Sequence, residues 1–490
     1  MKAITPQEAI EIYHAGPEAV VKIICEFSNQ VVSLKRQVKI LEARIKELEE
    51  RLAQNSRNSS KPPSTDGFQK PRPQSLRIQT GRKPGGQDGH QGHTLKMVDN
   101  PDHVEIHKVA GQCRCGSQLS DLPVSGYERR QVFDVPFSPV KTIEHRVEIK
   151  ECPGCHCVHK GTFPESVQAP VQYGPRIKAM VMYLRSYQLL PAARNAALFQ
   201  DLFGCDLSTG VMDNILVEGS HRLKDCVQWI KEQVKNSAVT NFDETGLSVE
   251  GDNYWLHATS TDQFTYYDIH DKRGVEAMAA IGILPEFQGT AVHDAWAPYF
   301  QYDQCQHSLC NAHHLRELTF IHEQLGQVWA SDMIDCLVKI KDKVDAAKSV
   351  GLTQLTQGQE NYYRRQYRDI IAQGYQVNPL GKGPPAAKHQ RGRPKKGKTR
   401  CLLERLDHHW RMVLRFMYDF RVPFDNNLSE RDVRMMKVRQ KISGTFRSAD
   451  MAKAFCRIRS FISTVRKQAF PLMNSIELVF TANPLGLFVQ

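Results

Sequence analysis

Ten apolar residues, Val20, Ile24, Phe27, Val31, Leu34, Val38, Leu41, Ile45, Leu48 and Leu52, recur in an unbroken four-three spacing. A stripe with that period stays dry only when a second helix lies along it, so residues 1–54 are expected to form a helical, coiled-coil segment. With Ile24, Val31, Val38, Ile45 and Leu52 at a, the d positions are Val20, Phe27, Leu34, Leu41 and Leu48. β-Branched a with Leu at d favours two parallel strands, and Arg44 at g then reaches Glu49 at e of the partner. A homo-oligomer is expected; an amphipathic helix packed on its own protein is the alternative.

The coil stops at Asn55-Ser56-Arg57-Asn58-Ser59-Ser60-Lys61-Pro62-Pro63. Residues 55–100 hold five prolines, six glycines and eight Lys/Arg against three acids, with few apolar side chains to offset the entropy of ordering. A basic, flexible linker is expected, either a plain tether or a contact to phosphates. Cys113-Arg114-Cys115 and Cys152-Pro153-Gly154-Cys155 follow, separated by alternating apolar residues (Val132, Phe133, Val135; Ile143, Val147, Ile149). Two cysteine turns joined by a hairpin suit tetrahedral Zn²⁺, so 101–165 is read as a small zinc ribbon in which Cys113, Cys115, Cys152 and Cys155 hold a structural ion. Thirteen cysteines, an odd count with four in tight pairs, fit a reduced compartment better than a disulfide framework. No apolar run approaches the ~20 residues of a membrane span, and Glu8 and Glu11 stand where a signal peptide would be basic. A cytoplasmic protein without membrane contact is expected.

Residues 170–236 read as helical, with Ile177, Met180, Val181 and Leu184 on one face and a turn at Gly204. Helix, Gly turn and helix near Arg185, Arg194 and Arg222 admit a DNA-binding helix-turn-helix or ordinary helical packing. From Val239 the pattern changes: a strand ending at Asp243, a second through Tyr254–His257, a third from Phe264 to Ile269, a helix from Val275 to Ile283, and a fourth strand from Gly289 that delivers Asp294. Three strands, a crossover helix and a fourth strand open an RNase H-like sheet, in which the first and fourth strands are parallel neighbours and Asp243 and Asp294 face each other. Such a pair suits Mg²⁺, which takes oxygen ligands. Farther on, Asn427 with Glu430 reads as a capping-box start, and Glu430, Arg434, Lys437 and Lys441 fall on one helical face. One acid at the head of a basic stripe fits a metal site that holds a phosphate backbone.

These residues resemble a bacterial transposase of the insertion sequence 66 family. The resemblance is carried by the coil, Asn58-Ser59-Ser60-Lys61-Pro62-Pro63, the glycine-rich run Gly85–His93, the cysteine pairs, Asp243-Glu244-Thr245, Asp425-Asn426-Asn427-Leu428-Ser429-Glu430-Arg431-Asp432 and Lys441–Ser448. It implies a multidomain α/β protein with an RNase H-like DDE catalytic domain over 237–467, a helical insertion at about 310–420 and a C-terminal tail over 468–490. It also implies Asp243, Asp294 and Glu430 as the acidic triad, two catalytic Mg²⁺ ions, cleavage at the ends of an insertion sequence and strand transfer into target DNA. Accessory proteins of the same element are implied as partners. Cys310-Asn311-Ala312-His313 is similar to the Cys-x-x-His of several DDE families, which implies a structural role for Cys310 and His313 and no second metal. The competing readings are a non-catalytic DNA-binding regulator and a nuclease that cleaves without joining.

Charge locates the DNA contacts. The formal charge is +12, yet residues 388–467 alone carry 22 Lys/Arg against seven Asp/Glu, so the remainder is slightly acidic. Arg391-Gly392-Arg393-Pro394 has the core of an AT-hook for the minor groove. Arg434, Lys437, Lys441 and Arg447 are expected on the phosphate backbone.

Overall fold

The structure, a computed structural model, describes residues 5–59, 66, 97–115, 118–121, 123–134, 140–379 and 397–489. The chain divides into two compact units, one of residues 1–73, 145–196 and 207–490, the other of 74–144 and 197–206. The described part of the second unit contains one 3₁₀ turn, Leu119–Asp121, and the end of a helix. The expected hairpin between the cysteine pairs is absent among the described residues. Val132 and Ile143 are exposed, so their alternation has no apolar face to pair against. A short ribbon, β1 (Ile149–Glu151) with β2 (Val158–Lys160), instead encloses the second pair.

The first unit opens with α1 (Pro6–His14), started by a Thr5–Glu8 capping box, and α2 (Pro17–Leu52). The four-three stripe is helical throughout and no α2 residue is buried; Ile24 and Leu41 are about 60% exposed. Arg44 bonds Glu47 in its own helix at 2.6 Å. The expected linker begins later than residue 55: Asn58 Nδ2 donates to Ala53 O (3.0 Å), Ser59 Oγ to Asn55 O (2.6 Å), and Arg57 pairs with Glu323. These bonds satisfy backbone groups at the end of α2, so 55–59 are folded. Most of the remaining linker lies outside the described residues.

A five-stranded sheet organises this unit: β3 (Val239–Val249), β4 (Asp252–Ser260), β5 (Thr265–His270), β6 (Thr290–His293) and β7 (Gln306–Leu309), in the order β5-β4-β3-β6-β7. β3, β4 and β5 form an antiparallel meander, joined first by a tight turn in which Glu250 and Gly251 both have positive φ. The crossover through α7 (Val275–Ile281) makes β6 parallel to β3, and β7 continues parallel beyond it. The first and fourth strands are thus parallel neighbours. β3 does not end at Asp243 but runs six residues farther, paired through Val249 with β4, with the Trp255 ring in van der Waals range of Gly246.

One sheet face packs on α14 (Asn427–Ser443) and α15 (Ala449–Lys467) through Leu247, Val249, Leu256, Ile269, Val433 and Phe455. α15 also joins a helical layer with α3 (Pro175–Met182), α5 (Thr209–Arg222), α6 (Lys224–Lys235) and α16 (Leu472–Thr481). The segment expected as a tail therefore belongs to the core, because Leu472, Ile476 and Val479 make a buried helical stripe. α4 (Ala192–Phe203) precedes the turn at Gly204. The opposite sheet face carries Phe242 and Ala291 against Met278, Phe287 and Tyr299. Between β7 and α14 the described elements are all helices: α8 (Asn311–Leu325), α9 (Val328–Ser349), α10 (Gln357–Val377), α11 (Lys398–His408), α12 (Trp410–Val413) and α13 (Arg415–Tyr418), with a shared core.

Gly289 lets β6 close on β3. A Cβ there would stand 2.5 Å from Ser237 O and 2.7 Å from Ala238 O, which are backbone atoms that cannot swing aside. Gly289→Ala is expected to cost about 1–3 kcal/mol of stability, read as a lowered urea midpoint; an unchanged midpoint would show that the strand start yields freely.

Candidate active site

Successive side chains of a strand point to opposite faces, and this separates the two acids of Asp243-Glu244. Glu244 shares a face with Phe242 and is a pinned residue: it accepts from Arg273 Nε and Nη2 (3.0 and 2.8 Å) and from Tyr299 Oη (2.6 Å), with 2% of its side chain exposed. Arg273 in turn lies 4.8 Å from the Trp255 ring centroid and 4.0 Å from that of Trp296. Asp243 faces the other way, toward α14. Nothing in residue type distinguishes the two acids; only their parity along the strand does.

The last β3–β6 pair is Asn241 with Val292, so Asp243 and Asp294 each lie two residues beyond it, at the carboxyl end of the parallel pairing. Ala295 follows with φ 68°, a left-handed conformation unusual for a residue with a Cβ. Neighbouring bonds hold it. Ala295 N donates to His293 Nδ1 (3.2 Å), His293 Nε2 lies 3.0 Å from His307 Nδ1, and His307 Nε2 lies 3.0 Å from Tyr302 O. A carbonyl can only accept, so the proton positions follow down the chain: both rings donate from Nε2, accept at Nδ1 and are neutral. Asp294 Oδ1 accepts from Trp296 N (3.0 Å).

Glu430 comes from α14. The expected capping box does not form: the N-cap is Asn426, whose side chain is engaged elsewhere. Asn426 Oδ1 accepts from Asn241 Nδ2, Asn426 Nδ2 donates to Phe242 O (both 2.8 Å), and Asn426 N donates to Cys310 Sγ (3.1 Å). Farther along, Ser429 Oγ donates to Ala258 O (3.3 Å), and Asp432 accepts from Ser260 Oγ (2.6 Å), Thr265 Oγ1 (3.1 Å) and Lys467 Nζ (2.9 Å). Three polar residues of the Asp425–Asp432 motif thus fasten the helix to the sheet. Beyond Glu430 the helix is left open, and Arg434, Lys437 and Lys441 lie exposed along it with Arg447 farther on. Lys437 Nζ donates to Gly246 O (2.6 Å). Arg391 and Arg393 lie outside the described residues.

Electrostatics tie the three acids together. Burial raises the Asp243 carboxyl well above its usual range, and Glu244, Glu430 and Asp294 raise it further. Burial also raises Glu430, against the opposing pull of Arg316. Glu430 leans on α8, with Oε1 3.8 Å from Cys310 Sγ and 3.6 Å from His313 Nδ1, and Oε2 3.6 Å from Arg316. Burial pushes the Cys310 thiol up to about 12 and the His313 imidazole down to about 4. Among the described residues, Cys310, His313 and Glu430 are the group of three whose ligand atoms all lie within 4.8 Å of one another. The Asn426, Asp432, Arg273 and Arg316 contacts escape sequence reasoning because each joins distant segments.

Of the expected zinc ligands, Cys113 and Cys115 are exposed in the second unit, while Cys152 and Cys155 lie in the turn of the β1–β2 ribbon. There Cys152 N donates to Cys157 O (2.9 Å) and His156 N to Cys152 O (2.8 Å). Hydrogen bonds from Cys157, then from Cys152, hold the Cys155 thiol below its ordinary value. Among the described residues no helix is long and apolar enough to cross a membrane.

His257, paired with Glu244 across β3–β4, offers a pH test. It is buried, and burial lowers its pKa to about 4. The unfolded chain takes up this proton as pH falls through about 6.5, whereas the folded chain refuses it until about 4, so stability present above 6.5 is lost on acidification. Relative to His257→Gln, the wild-type protein should lose about 1.4 kcal/mol for each pH unit between 6.5 and about 4 in urea unfolding. A constant difference would contradict this.

The family model described as Transposase IS66 family matches residues 170–454, and that described as Family of unknown function (DUF6444) matches 13–96. No curated protein matches the chain. The first match covers more than half of the sequence, from the start of the helical layer through the sheet, the helical insertion and Glu430 into α15. The chain belongs to the IS66 family of transposases.

Proposed function

We propose that this transposase cuts DNA at the ends of its element and joins them to target DNA by DDE chemistry, on an RNase H-like core. The observation that carries the reading is the placement of Asp243 and Asp294 two residues beyond the last β3–β6 pair, with Glu430 near enough to join burial in raising the Asp243 carboxyl. Like charges gathered under burial call for a cation. The donor set, all carboxylate oxygen, fits Mg²⁺, held by Asp243, Asp294 and Glu430. When bound, the ions would activate water or a 3′-hydroxyl and stabilise charge at phosphorus. The side chains do the rest. The clamp on Asn426 fixes the distance from Glu430 to β3, and Arg434, Lys437, Lys441 and Arg447 offer cations for the phosphate backbone. Structural Zn²⁺ on Cys113, Cys115, Cys152 and Cys155 rests on their sequence spacing, and metal analysis tests it. The exposed α2 stripe favours a second copy of the chain as its cover.

Asp294→Asn should reduce end cleavage in Mg²⁺ about a hundredfold or more while leaving DNA binding intact. Cleavage at the wild-type rate would favour an inert regulator, and free ends without joined product a simple nuclease. Mg²⁺ should raise the melting temperature of the wild-type protein and not of Asp243→Asn, since binding only the folded state stabilises it by RT ln(1 + [Mg²⁺]/Kd). Deleting residues 20–52 should reduce the sedimenting species to a monomer; an unchanged sedimentation coefficient would sink the coiled-coil reading.

A further inference from the structure

Cys310 follows β7 and precedes α8; its N donates to His293 O (2.9 Å), which places it beside the strand that leads to Asp294. His313 lies in the first turn of α8 and Glu430 in the first turn of α14. Cys310 is 1% exposed, and the His313 and Glu430 side chains are 17% and 22% exposed. His313 Nδ1 is buried without a hydrogen-bond partner, an uncommon state for a polar atom. The Cys310 Sγ–Glu430 Oε1 and His313 Nδ1–Glu430 Oε1 separations are 3.8 and 3.6 Å. A tetrahedral ion with Zn–S about 2.3 Å and Zn–N and Zn–O about 2.0 Å has ligand–ligand edges of about 3.3–3.6 Å. The two separations to Glu430 exceed those edges by only a few tenths of an ångström, and all three ligand atoms lie within 4.8 Å of one another.

We propose that Cys310, His313 and Glu430 form a binding site for a thiophilic divalent cation of the Zn²⁺ class, distinct from the carboxylate site for Mg²⁺ and sharing Glu430 with it. The ligand chemistry separates the two ions. Thiolate and imidazole select Zn²⁺ and its relatives, while Mg²⁺ requires oxygen, and a bound divalent cation deprotonates a coordinating thiol. Three protein ligands leave a fourth position open. Because the Cys310 ion and the carboxylate site draw on the same Glu430 carboxylate, occupancy of the Cys310 site competes with Asp243 and Asp294 for it. The binding site stands on the three side chains alone; its effect on DNA cleavage rests on the function proposed above.

Cobalt(II) reports on the site directly, because thiolate ligation gives a charge-transfer band and tetrahedral geometry a strong visible spectrum. Full-length protein titrated with Co²⁺, without DNA or Mg²⁺, should bind one ion more than Cys310→Ala, with a thiolate band that this variant lacks. His313→Ala should weaken that ion by more than about tenfold, beyond the loss seen when even an outer partner of a ligand is removed. Circular dichroism checks folding, and if Cys310→Ala unfolds, the His313→Ala comparison decides alone. Equal stoichiometry and identical spectra between wild type and the folded variants would overturn the site. Since the titration contains neither DNA nor Mg²⁺, it fails or succeeds independently of the Asp294→Asn cleavage assay. In that assay, Zn²⁺ added to Mg²⁺-supported reactions should inhibit the wild-type protein, and undiminished cleavage with the Cys310 site filled would overturn the sharing of Glu430.

Discussion

Carboxylates at one end of a buried sheet repel one another, and much of this fold is arranged to hold them there. Asp243 sits where burial and three neighbouring acids all disfavour its charged form. The groups that fix its surroundings are mostly neutral. Asn426 clamps α14 to β3, Ser429 bonds β4, and a chain of uncharged histidines supports the left-handed Ala295. Neutral fasteners set positions without cancelling charge. Arg273 is spent on Glu244, on the opposite face, so the acids facing α14 keep their mutual repulsion. Gathering like charges under burial in this way costs stability.

The sequence makes the main path of the fold legible. Alternation located the strands, the crossover helix implied a parallel β3–β6 pair, and the long gap from Asp294 to Glu430 is helical among the described residues. What escaped depends on partners. The first strand reads as ending at Asp243, yet Gly246 is an internal strand residue paired with Trp255. Asn427 reads as a helix cap, yet Asn426 begins the helix and spends its side chain on β3. Residues 468–490 read as a tail, yet Leu472, Ile476 and Val479 are buried in one cluster with residues of α3, α5, α6 and α15. In each case a local signal was overridden by a contact far away in the chain.

Charge follows the same logic. Most of the surplus lies in and before α14 and α15, and the structure divides it by helical face. Arg459 and Lys467 are turned inward, Lys467 to Asp432, while Arg434, Lys437, Lys441 and Arg447 remain at the surface. Arg439 covers the Phe446 ring at 3.4 Å, and burial lowers its pKa to about 10. Composition counts all of these alike, but only the outward set is available to a polyanion.

The α14 fasteners join residues 172 and 185 positions apart, and Thr265 bonds Thr464 across 199. Contacts of such long range form late, because the loop entropy must be met before they give anything back. During synthesis β3, β4 and β5 leave the ribosome well before residues 427–467, with Leu247, Val249, Leu256 and Ile269 not yet covered. A nascent chain therefore passes through an interval in which its sheet invites chaperones or misassociation. Glu430 joins the other acids only after that interval closes, so the acid cluster is among the last features of the fold to assemble.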